Sequence, residues 1–447
     1  MMATPSGEKP EAQWGTLHLS CSSLQVWTPR MLEALARGND GRQWHTLMDK
    51  VFSPKTLALA LRAVCAKKGA PGIDGQTTQA VAQKAAEQIE IIGRLLQEGR
   101  YEPRAAKRVW IDKAGSNEKR PLGLPTVRDR IVQKSLHIIL EPIFEHEFAQ
   151  HSYGFRPGRK ARQAVERVEG LLKEGYHWVV DADIKGYFDS IPQNQLMARV
   201  REKIADGRVL GLLEKFLGQG VMESMKGWQP TESGTPQGAV ISPLLANIYL
   251  NPLDHLMVSK GWEMTRYADD FIIQCRSQAE AEEALVMVRV WMEEAGLTLH
   301  PQKTKIVDAT QRGGFEFLGW HFERGHRWPR EKSRAKFQDA IRKVTRRSNG
   351  TSMASIIAAV NRRVRGWGNY FRGGVRNVPQ RLEEWTRKRL RSILRKRDKR
   401  KGCGHGLDHN RYPNAYFAER GLIFLSAITH GAAPSPAPRT KVRAGTC

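Results

Sequence analysis

The sequence has few cysteines and no long apolar run. Five cysteines are scattered over 447 residues and none belongs to a Cys-x-x-Cys pair, so neither a disulfide framework nor a structural zinc site is predicted. The trio of Cys403, His405 and His409 matches no standard zinc spacing. No apolar run reaches the roughly 18 residues that a membrane span needs, and a secretory signal is not predicted. We therefore expect a cytoplasmic location and no membrane partner.

Acidic residues are also scarce relative to basic ones. There are 46 Asp and Glu against 72 Lys and Arg, which gives a net charge of +26. This balance favours nucleic acid as a partner over an ordinary basic enzyme, because the charge is concentrated. Residues 387–401 hold ten Lys or Arg and one acid, Asp398. Such a block repels itself unless an anion lies against it, so RNA contact by Arg387, Lys388 and Arg389 is favoured over a solvated helix.

The periodicity of the apolar residues predicts a mixed α+β chain. Residues 1–43 show little periodicity and are predicted to be a weakly ordered extension. Helical spacing follows in 78–98 and 127–149, and a strand-like stretch lies between them at 108–112. From about 330 to 400 the pattern is helical and strongly basic, which predicts a separate helical domain.

Three aspartates stand at the ends of predicted strands. The strand at 177–184 carries Asp183 near its end, and 263–275 reads as two β-prone runs with Asp269 and Asp270 at the turn between them. Extending a nucleic-acid strand requires two divalent cations held by hard oxygen ligands, and adjacent strands would bring these carboxylates together. Each acidic turn alone is more often structural, because Asp bonds its own backbone. The combination would allow a two-metal site, and its weight depends on the segments that surround it.

Nine short segments, in order along the chain, carry a family resemblance. They are Pro71-Gly-Ile-Asp-Gly75, Lys119-Arg-Pro-Leu-Gly-Leu-Pro125, Ser152-Tyr-Gly-Phe-Arg-Pro-Gly158, Asp183-Ile-Lys-Gly-Tyr-Phe-Asp189, Gly234-Thr-Pro-Gln-Gly-Ala-Val-Ile-Ser-Pro243, Tyr267-Ala-Asp-Asp270, Pro301-Gln-Lys-Thr304, Phe317-Leu-Gly319 and Arg365-Gly-Trp-Gly-Asn-Tyr370. With these segments the sequence resembles the reverse transcriptases encoded by bacterial group II introns, from about residue 45 to about residue 425.

The resemblance implies a right-hand polymerase of the α+β class. Fingers and palm, built from an antiparallel sheet and helices, would occupy residues 44–320. A helical thumb, the maturase domain, would follow over 321–385, and a basic DNA-binding region with a tail over 386–447. Many relatives carry a C-terminal endonuclease with paired zinc-binding cysteines, and that domain is not expected here.

The resemblance also implies roles for individual residues. Asp183, Asp269 and the Ile184 carbonyl would hold two Mg²⁺ ions, or Mn²⁺ as a substitute, and Asp270 would support the site less directly. Phe188 would be the gate that excludes a 2′ hydroxyl and so selects deoxynucleotides, its alternative being a core aromatic. Lys113 and Arg120 would contact the triphosphate, and Gln237 would contact the nucleotide or the template. Lys303 would contact the primer. RNA would be bound by Arg362, Arg363 and Arg365. Without the motif context, Lys113 and Arg120 would read as plain surface charges.

The implied function is an RNA-directed DNA polymerase that takes deoxynucleoside triphosphates, a primer and a DNA target. It would also bind its group II intron RNA, promote splicing as a maturase, and copy the intron into DNA during retrohoming. Three alternatives remain open at this point: a splicing-only maturase, an RNA-dependent RNA polymerase, which Phe188 disfavours, and a domesticated relative in DNA repair or defence. The sequence does not indicate an oligomeric state.

Overall fold

The computed structural model describes residues 20–36, 43–112, 119–223, 227–231, 233–402 and 406–431. The chain divides into two compact units. The first unit comprises Met1–Val168 and Val180–Ile306, and the second comprises Glu169–Val179 and Val307–Cys447.

Helices make up most of the regular structure in the described residues. They are α1 Cys21–Val26, α2 Pro29–Ala36, α3 Met48–Val51, α4 Pro54–Ala66, α5 Thr78–Gln83, α6 Ala85–Gln97, α7 Val127–Glu147, α8 Ala161–Lys173, α9 Tyr187–Ser190, α10 Gln193–Arg201, α11 Gly207–Leu217, α12 Ser242–Ser259, α13 Gln278–Glu294, α14 Glu331–Val344, α15 Met353–Tyr370, α16 Asn377–Arg397, α17 Asp408–Arg411, α18 Asn414–Glu419 and α19 Leu425–His430.

The strands form three sheets in the same part of the chain. They are β1 Ala106–Asp112, β2 Lys119–Leu124, β3 Trp178–Asp183, β4 Val221–Glu223, β5 Gly227–Gln229, β6 Glu263–Tyr267, β7 Asp270–Cys275, β8 Lys305–Asp308, β9 Phe315–Phe317, β10 Trp320–Glu323 and β11 His326–Pro329. The sheet orders are β2-β1-β4-β5, β6-β7-β3-β8 and β11-β10-β9. The prediction of an antiparallel sheet holds for most pairs, but β1 and β4 run parallel.

The first unit is organised around α7, which is buried over nearly its whole length. Its N-terminus is capped by Thr126, whose hydroxyl accepts a hydrogen bond from the backbone N–H of Asp129 at 3.1 Å. Its buried residues lie on every side of the helix and include the charged Asp129, Arg130 and Glu141, and α4 packs along it. The predicted helix at 127–149 is therefore confirmed, and its role is that of a central core element.

The second unit has a core of its own. Buried side chains from Phe337 to Leu425 form one apolar cluster that draws on α14, α15, α16, α18 and α19. The aromatic residues of the Arg-Gly-Trp-Gly-Asn-Tyr segment point into it or beside it: Trp367 packs against Phe337 at 5.1 Å and against Phe371 at 4.5 Å between ring centroids. Gly368 is required here, because a Cβ at this position would lie 2.9 Å from the Ile428 side chain.

The helices and strands differ from the prediction at three places along the chain. Residues 20–36, expected to be weakly ordered, contain α1 and α2, and the Ser23 hydroxyl donates to the Ile138 carbonyl at 3.0 Å. The helical domain expected from 321 begins with strands β10 and β11, and the unit itself starts near 307. The boundary expected at 385 falls inside the continuous helix α16, because the apolar cluster extends across it.

Over the described residues, no helix is both long and apolar enough to cross a membrane.

Candidate active site

Asp183 is the last residue of β3, and the backbone around it is fixed by the segment that precedes β8. The Asp183 carbonyl accepts a hydrogen bond from the His300 N–H at 2.7 Å, and Ile184 makes an antiparallel bridge with Leu299. Ile184 is buried, at 4% exposure. The Asp183 side chain is accessible, so its carboxylate is available at the end of a strand whose backbone cannot easily move.

Asp269 lies in the turn that joins β6 to β7. The two strands pair antiparallel, and the pair Tyr267↔Asp270 closes the hairpin. Ala268 has a left-handed backbone, with φ of 61°, which is uncommon for a residue with a side chain. The predicted strand–turn–strand at 263–275 is confirmed, and Asp270 begins β7 rather than standing free at the tip.

The electrostatics of Asp269 show that Asp183 is its neighbour. Burial is the largest effect and raises the pKa of Asp269, and the negative charge of Asp183 raises it further. A backbone hydrogen bond and the guanidinium groups of Arg120 and Arg266 work in the opposite direction. In the sheet, β3 lies next to β7, so Asp183 at the end of β3 and Asp269 just before β7 are on neighbouring strands.

The pair of carboxylates fits a magnesium ion. In the part of the chain that the structure describes, no cluster of three or more His, Cys, Asp or Glu side chains could hold a metal. Mg²⁺ commonly uses one or two carboxylates and takes its remaining ligands from water and substrate phosphates. Two partly buried anions that repel each other are stabilised by a cation between them, so Asp183 and Asp269 suit such an ion.

Glycines allow two neighbouring segments to approach the turn and β2 closely. A Cβ on Gly154 would lie 2.2 Å from the Ala268 nitrogen, so the Ser-Tyr-Gly-Phe segment rests directly on the turn before Asp269. A Cβ on Gly238, where φ is 104°, would lie 2.5 Å from the Gly123 carbonyl oxygen. Glycine is therefore required at these two motif positions, because any side chain would collide with the neighbouring backbone.

Gln237 contacts Asp189, the residue that follows Phe188 in α9. The Gln237 amide donates to Asp189 Oδ2 at 2.6 Å. Burial raises the pKa of Asp189, and Arg108, the Gln237 amide and Arg120 oppose that shift. The Phe188 ring is half-buried and meets the Phe155 ring edge-on, with 6.4 Å between centroids. Phe188 is therefore accessible and is not a closed core aromatic.

The two predicted triphosphate contacts have different outcomes. Arg120 is exposed on β2, opposite Ile111. Its positive charge acts to lower the pKa of both Asp189 and Asp269. Lys113 lies outside the described residues.

Lys303 contacts a carboxylate of the site. Its Nζ lies 2.5 Å from Asp183 Oδ2, and the two side chains are 60% and 41% exposed. The sequence predicted a primer contact for this lysine, and its ion pair with Asp183 was missed. An exposed pair of this kind contributes little to stability, so Lys303 can exchange partners readily.

The three arginines of α15 differ in their surroundings. Arg362 and Arg365 are exposed, as an RNA contact requires. Arg363 is half-buried and donates to the Ala359 carbonyl of its own helix at 2.7 Å.

The basic run in α16 is partly internal, which corrects the prediction of an RNA-facing block. Arg387 is buried, at 7% exposure, and pairs with Glu383. Arg389 donates to the Thr345 hydroxyl at 2.7 Å and to the Thr345 carbonyl at 3.0 Å. Lys388 is half-buried. Because one face of α16 packs into the apolar cluster, its helical period turns some of the cations inward.

Sequence reasoning missed the residues that support the turn. Arg266, Asp254 and Asn247 form a buried hydrogen-bonded group beneath Ala268. One signal was available: Arg266 is a charged residue near the end of β6, and it pairs with Phe271 in the apolar run Phe271-Ile-Ile273 of β7. Such a residue must have a buried partner, but the sequence does not say which.

Comparison with known proteins gives two matched families. The family described as "Reverse transcriptase (RNA-dependent DNA polymerase)" matches residues 111–322. The family described as "Group II intron, maturase-specific domain" matches residues 334–412. The second match also crosses residue 385, in agreement with the continuous α16.

The chain is also similar to individual proteins. Protein YkfC of Escherichia coli (strain K12) is 33% identical over 346 residues, which cover 68% of this chain and 88% of that protein. Group II intron-encoded protein LtrA of Lactococcus lactis subsp. cremoris is 37% identical over 235 residues, or 50% of this chain and 38% of LtrA. A solved structure, "Partial Cas6-RT-Cas1--Cas2 complex", is 27% identical with a TM-score of 0.37, covering 56% of this chain and 43% of that one.

Proposed function

Because the chain belongs to the family of reverse transcriptases and maturases encoded by group II introns, we propose that it copies RNA into DNA at a site formed by Asp183 and Asp269. The two matched segments correspond to the two functions of that family, reverse transcription and maturation of the intron RNA. The observation that carries the proposal is the convergence of the two carboxylates, which stand 86 residues apart in the sequence (269 − 183).

The proposed chemistry is metal-assisted transfer of a nucleotide to a primer hydroxyl. Two Mg²⁺ ions, or Mn²⁺ in their place, would activate the attacking hydroxyl and neutralise the triphosphate. Asp183, Asp269 and the Ile184 carbonyl are the oxygen ligands proposed for them, with Asp270 in support. The rigid attachment of Asp183 and Ile184 to the segment at His300 favours a fixed ligand position, which catalysis by positioning requires.

The nucleotide would lie beside Phe188, Gln237 and Arg120. Arg120 supplies a positive charge close enough to act on Asp269, which suits a triphosphate. The accessible Phe188 ring suits the exclusion of a 2′ hydroxyl and so the use of deoxynucleotides. Lys303, already bound to the carboxylate of Asp183, is well placed to meet a primer phosphate.

Intron RNA is the proposed partner for splicing, and a primed DNA target for retrohoming. The excess of 72 basic over 46 acidic residues supports strong binding to polyanions. Arg362 and Arg365, both exposed, are the proposed RNA contacts in the second unit. The paired carboxylates argue against a splicing-only maturase, and the comparisons do not favour a role in DNA repair or defence.

The substitution Asp269→Asn tests the proposal. Primer extension on an RNA template should fall by roughly a thousandfold or more, because the loss of one metal ligand removes several kcal/mol of transition-state stabilisation. Binding of structured group II intron RNA, measured by filter retention, should be unchanged. Asp49→Asn is the matched control, because Asp49 is an exposed carboxylate on α3.

Two results would contradict the proposal. Full extension by Asp269→Asn would remove the metal assignment. Equal retention of intron RNA and unrelated RNA at several salt concentrations would remove the maturase assignment, because cationic contacts alone do not discriminate between RNAs.

A further inference from the structure

Arg266 is a fully buried charge directly below the proposed site. It lies in β6, three residues before Asp269, and is 0% exposed. A buried guanidinium is costly unless it is paired and hydrogen-bonded. Burial is the largest effect and works against its charge, but Asp254, with smaller contributions from Tyr187 and Asp269, holds the pKa of Arg266 above its ordinary value.

The guanidinium binds α12 with a two-point contact. Nε donates to Asp254 Oδ1 at 2.7 Å, and Nη2 donates to Asp254 Oδ2 at 2.5 Å. Nη1 donates to the Asn247 side-chain oxygen at 3.0 Å. Asn247 and Asp254 are seven residues apart on α12, which is two helical turns, so both side chains leave the same face.

The same Nη1 reaches the turn. It donates to the Ala268 carbonyl at 2.9 Å, and that carbonyl belongs to the peptide that leads into Asp269. Ala268 is held in the left-handed region, where φ is 61°. An L-residue adopts this backbone only where its surroundings impose it. The fixed guanidinium supplies one such restraint.

A second segment is held against the turn by the same group. The Asn247 amide donates to the Gly154 carbonyl at 2.8 Å, and Gly154 rests on the Ala268 backbone. The Arg266 carbonyl accepts a hydrogen bond from the Tyr153 N–H at 2.8 Å. Arg266 therefore connects the turn to α12 directly and to the Ser-Tyr-Gly-Phe segment through Asn247.

We propose that Arg266 is a positioning residue that holds the Ala268 carbonyl and thereby sets the direction of the Asp269 carboxylate. The inference rests on the proposed function, because it concerns the geometry of a metal ligand. Only arginine suits the position. Its planar fork places Nε and Nη2 on one carboxylate while Nη1 points elsewhere, whereas a lysine ammonium is a single point that cannot serve both.

The substitution Arg266→Lys tests whether the positive charge alone is sufficient or whether the planar guanidinium group is required. Lysine keeps the ion pair with Asp254 but releases the Ala268 carbonyl. The affinity of the full chain for Mn²⁺ should fall by roughly tenfold, as is typical when a group that orients a metal ligand is changed. Electron paramagnetic resonance in the absence of nucleic acid measures this affinity. Asp254→Asn should lower the unfolding temperature and leave Mn²⁺ affinity unchanged, because the contact between Nη1 and Ala268 remains.

Arg391→Lys is the matched control for burial. Arg391 is 2% exposed in the second unit and donates to the Tyr412 carbonyl and the Asn414 side chain. The Arg391→Lys substitution should lower the unfolding temperature without changing the affinity for Mn²⁺. If Arg266→Lys does not fold, Asn247→Asp replaces it. The new carboxylate cannot donate to the Gly154 carbonyl, so the connection from Arg266 through Asn247 to the Ser-Tyr-Gly-Phe segment is lost while the pair with Asp254 stays, and the same roughly tenfold loss is expected.

Mn²⁺ affinity that follows the unfolding temperature across all these variants would overturn the proposal, since Arg266 would then have only a structural role. Unchanged Mn²⁺ affinity in a folded Arg266→Lys chain would overturn it as well. The Asp269→Asn chain separates this failure from that of the proposed function. If Mn²⁺ binding survives that substitution, the metal assignment itself is wrong and Arg266 has no ligand to position.

Discussion

The acidic turn in the first unit and the basic helix α16 in the second are opposite in charge, but each contains a buried arginine. Arg266 is paired with a carboxylate, and its pKa is raised by Asp254 against the effect of burial. Arg391 donates to a backbone carbonyl and an asparagine oxygen, and burial lowers its pKa to about 10. A buried guanidinium is thus stabilised by a two-point ion pair in one region, and in the other by hydrogen bonds to neutral groups together with the charge of Asp408.

This difference shows that the number of charges in a segment does not reveal what they do. The turn has two adjacent acids, and its Ala268 carbonyl is held by the buried guanidinium group of Arg266. Helix α16 has many cations, and those on its inner face hold the fold together. Burial and partner decide the role of each charged side chain.

After Asp269→Asn, the largest expected effect comes from Gly154→Ala. The added Cβ would lie 2.2 Å from the Ala268 nitrogen, and the backbone must move to accept it. Primer extension should fall by about a hundredfold, because a displacement of about 1 Å at a catalytic group has this consequence. Gly170→Ala in α8 meets nothing within 4 Å and is the matched control. Equal activity of both variants would mean that Gly154 does not fix the turn.

A smaller effect is expected from Arg391→Gln. The loss of its hydrogen bonds leaves buried acceptors unpaired and should lower the free energy of unfolding by about 2 kcal/mol, measured by urea denaturation. Lys396→Gln, on the exposed face of the same helix, should leave that energy unchanged. If Lys396 contacts a phosphate, Lys396→Gln should instead reduce the salt dependence of RNA binding. Reversed results would refute the division of α16 into an inner and an outer face.

Phe188→Ala tests a neutral residue of the site. Removal of the ring should open space for a 2′ hydroxyl, so discrimination between deoxynucleotides and ribonucleotides should fall by about tenfold to a hundredfold. The ratio of kcat/KM for the two nucleotides measures it. Phe188→Tyr keeps the ring and should keep the selectivity. If the alanine variant is equally selective, another residue excludes the hydroxyl.

The smallest effect is expected from Lys303→Met. The ion pair with Asp183 is exposed and is worth at most about 1 kcal/mol. Without the competing ammonium group, Mn²⁺ affinity in the absence of nucleic acid should rise by up to about fivefold. Lys305→Met, two residues along the chain, is the control and should have no effect. A fall in Mn²⁺ affinity would indicate that Lys303 orients Asp183 instead of competing with the metal.

Much of the fold was predictable because its signals are local. The hairpin of β6 and β7 and the helices α7 and α13 follow from apolar periodicity over a few turns. The division of the chain was less predictable. The boundary predicted at residue 385 lies inside α16, because the apolar cluster of the second unit continues from Phe337 to Leu425, and no local signal in α16 reveals such a contact.

The sequence by itself determined the candidate carboxylates, since Asp183 ends a strand and Asp269 lies in a hairpin turn, both of which depend on neighbouring residues. It also determined the excess of positive charge. Only the tertiary structure decided that Arg266 meets Asp254, that Gly154 must leave room for Ala268, and that Arg387 and Arg391 face inward. These contacts join residues distant in sequence or depend on which face of a helix is packed, and that choice is made when the whole chain buries its apolar surface.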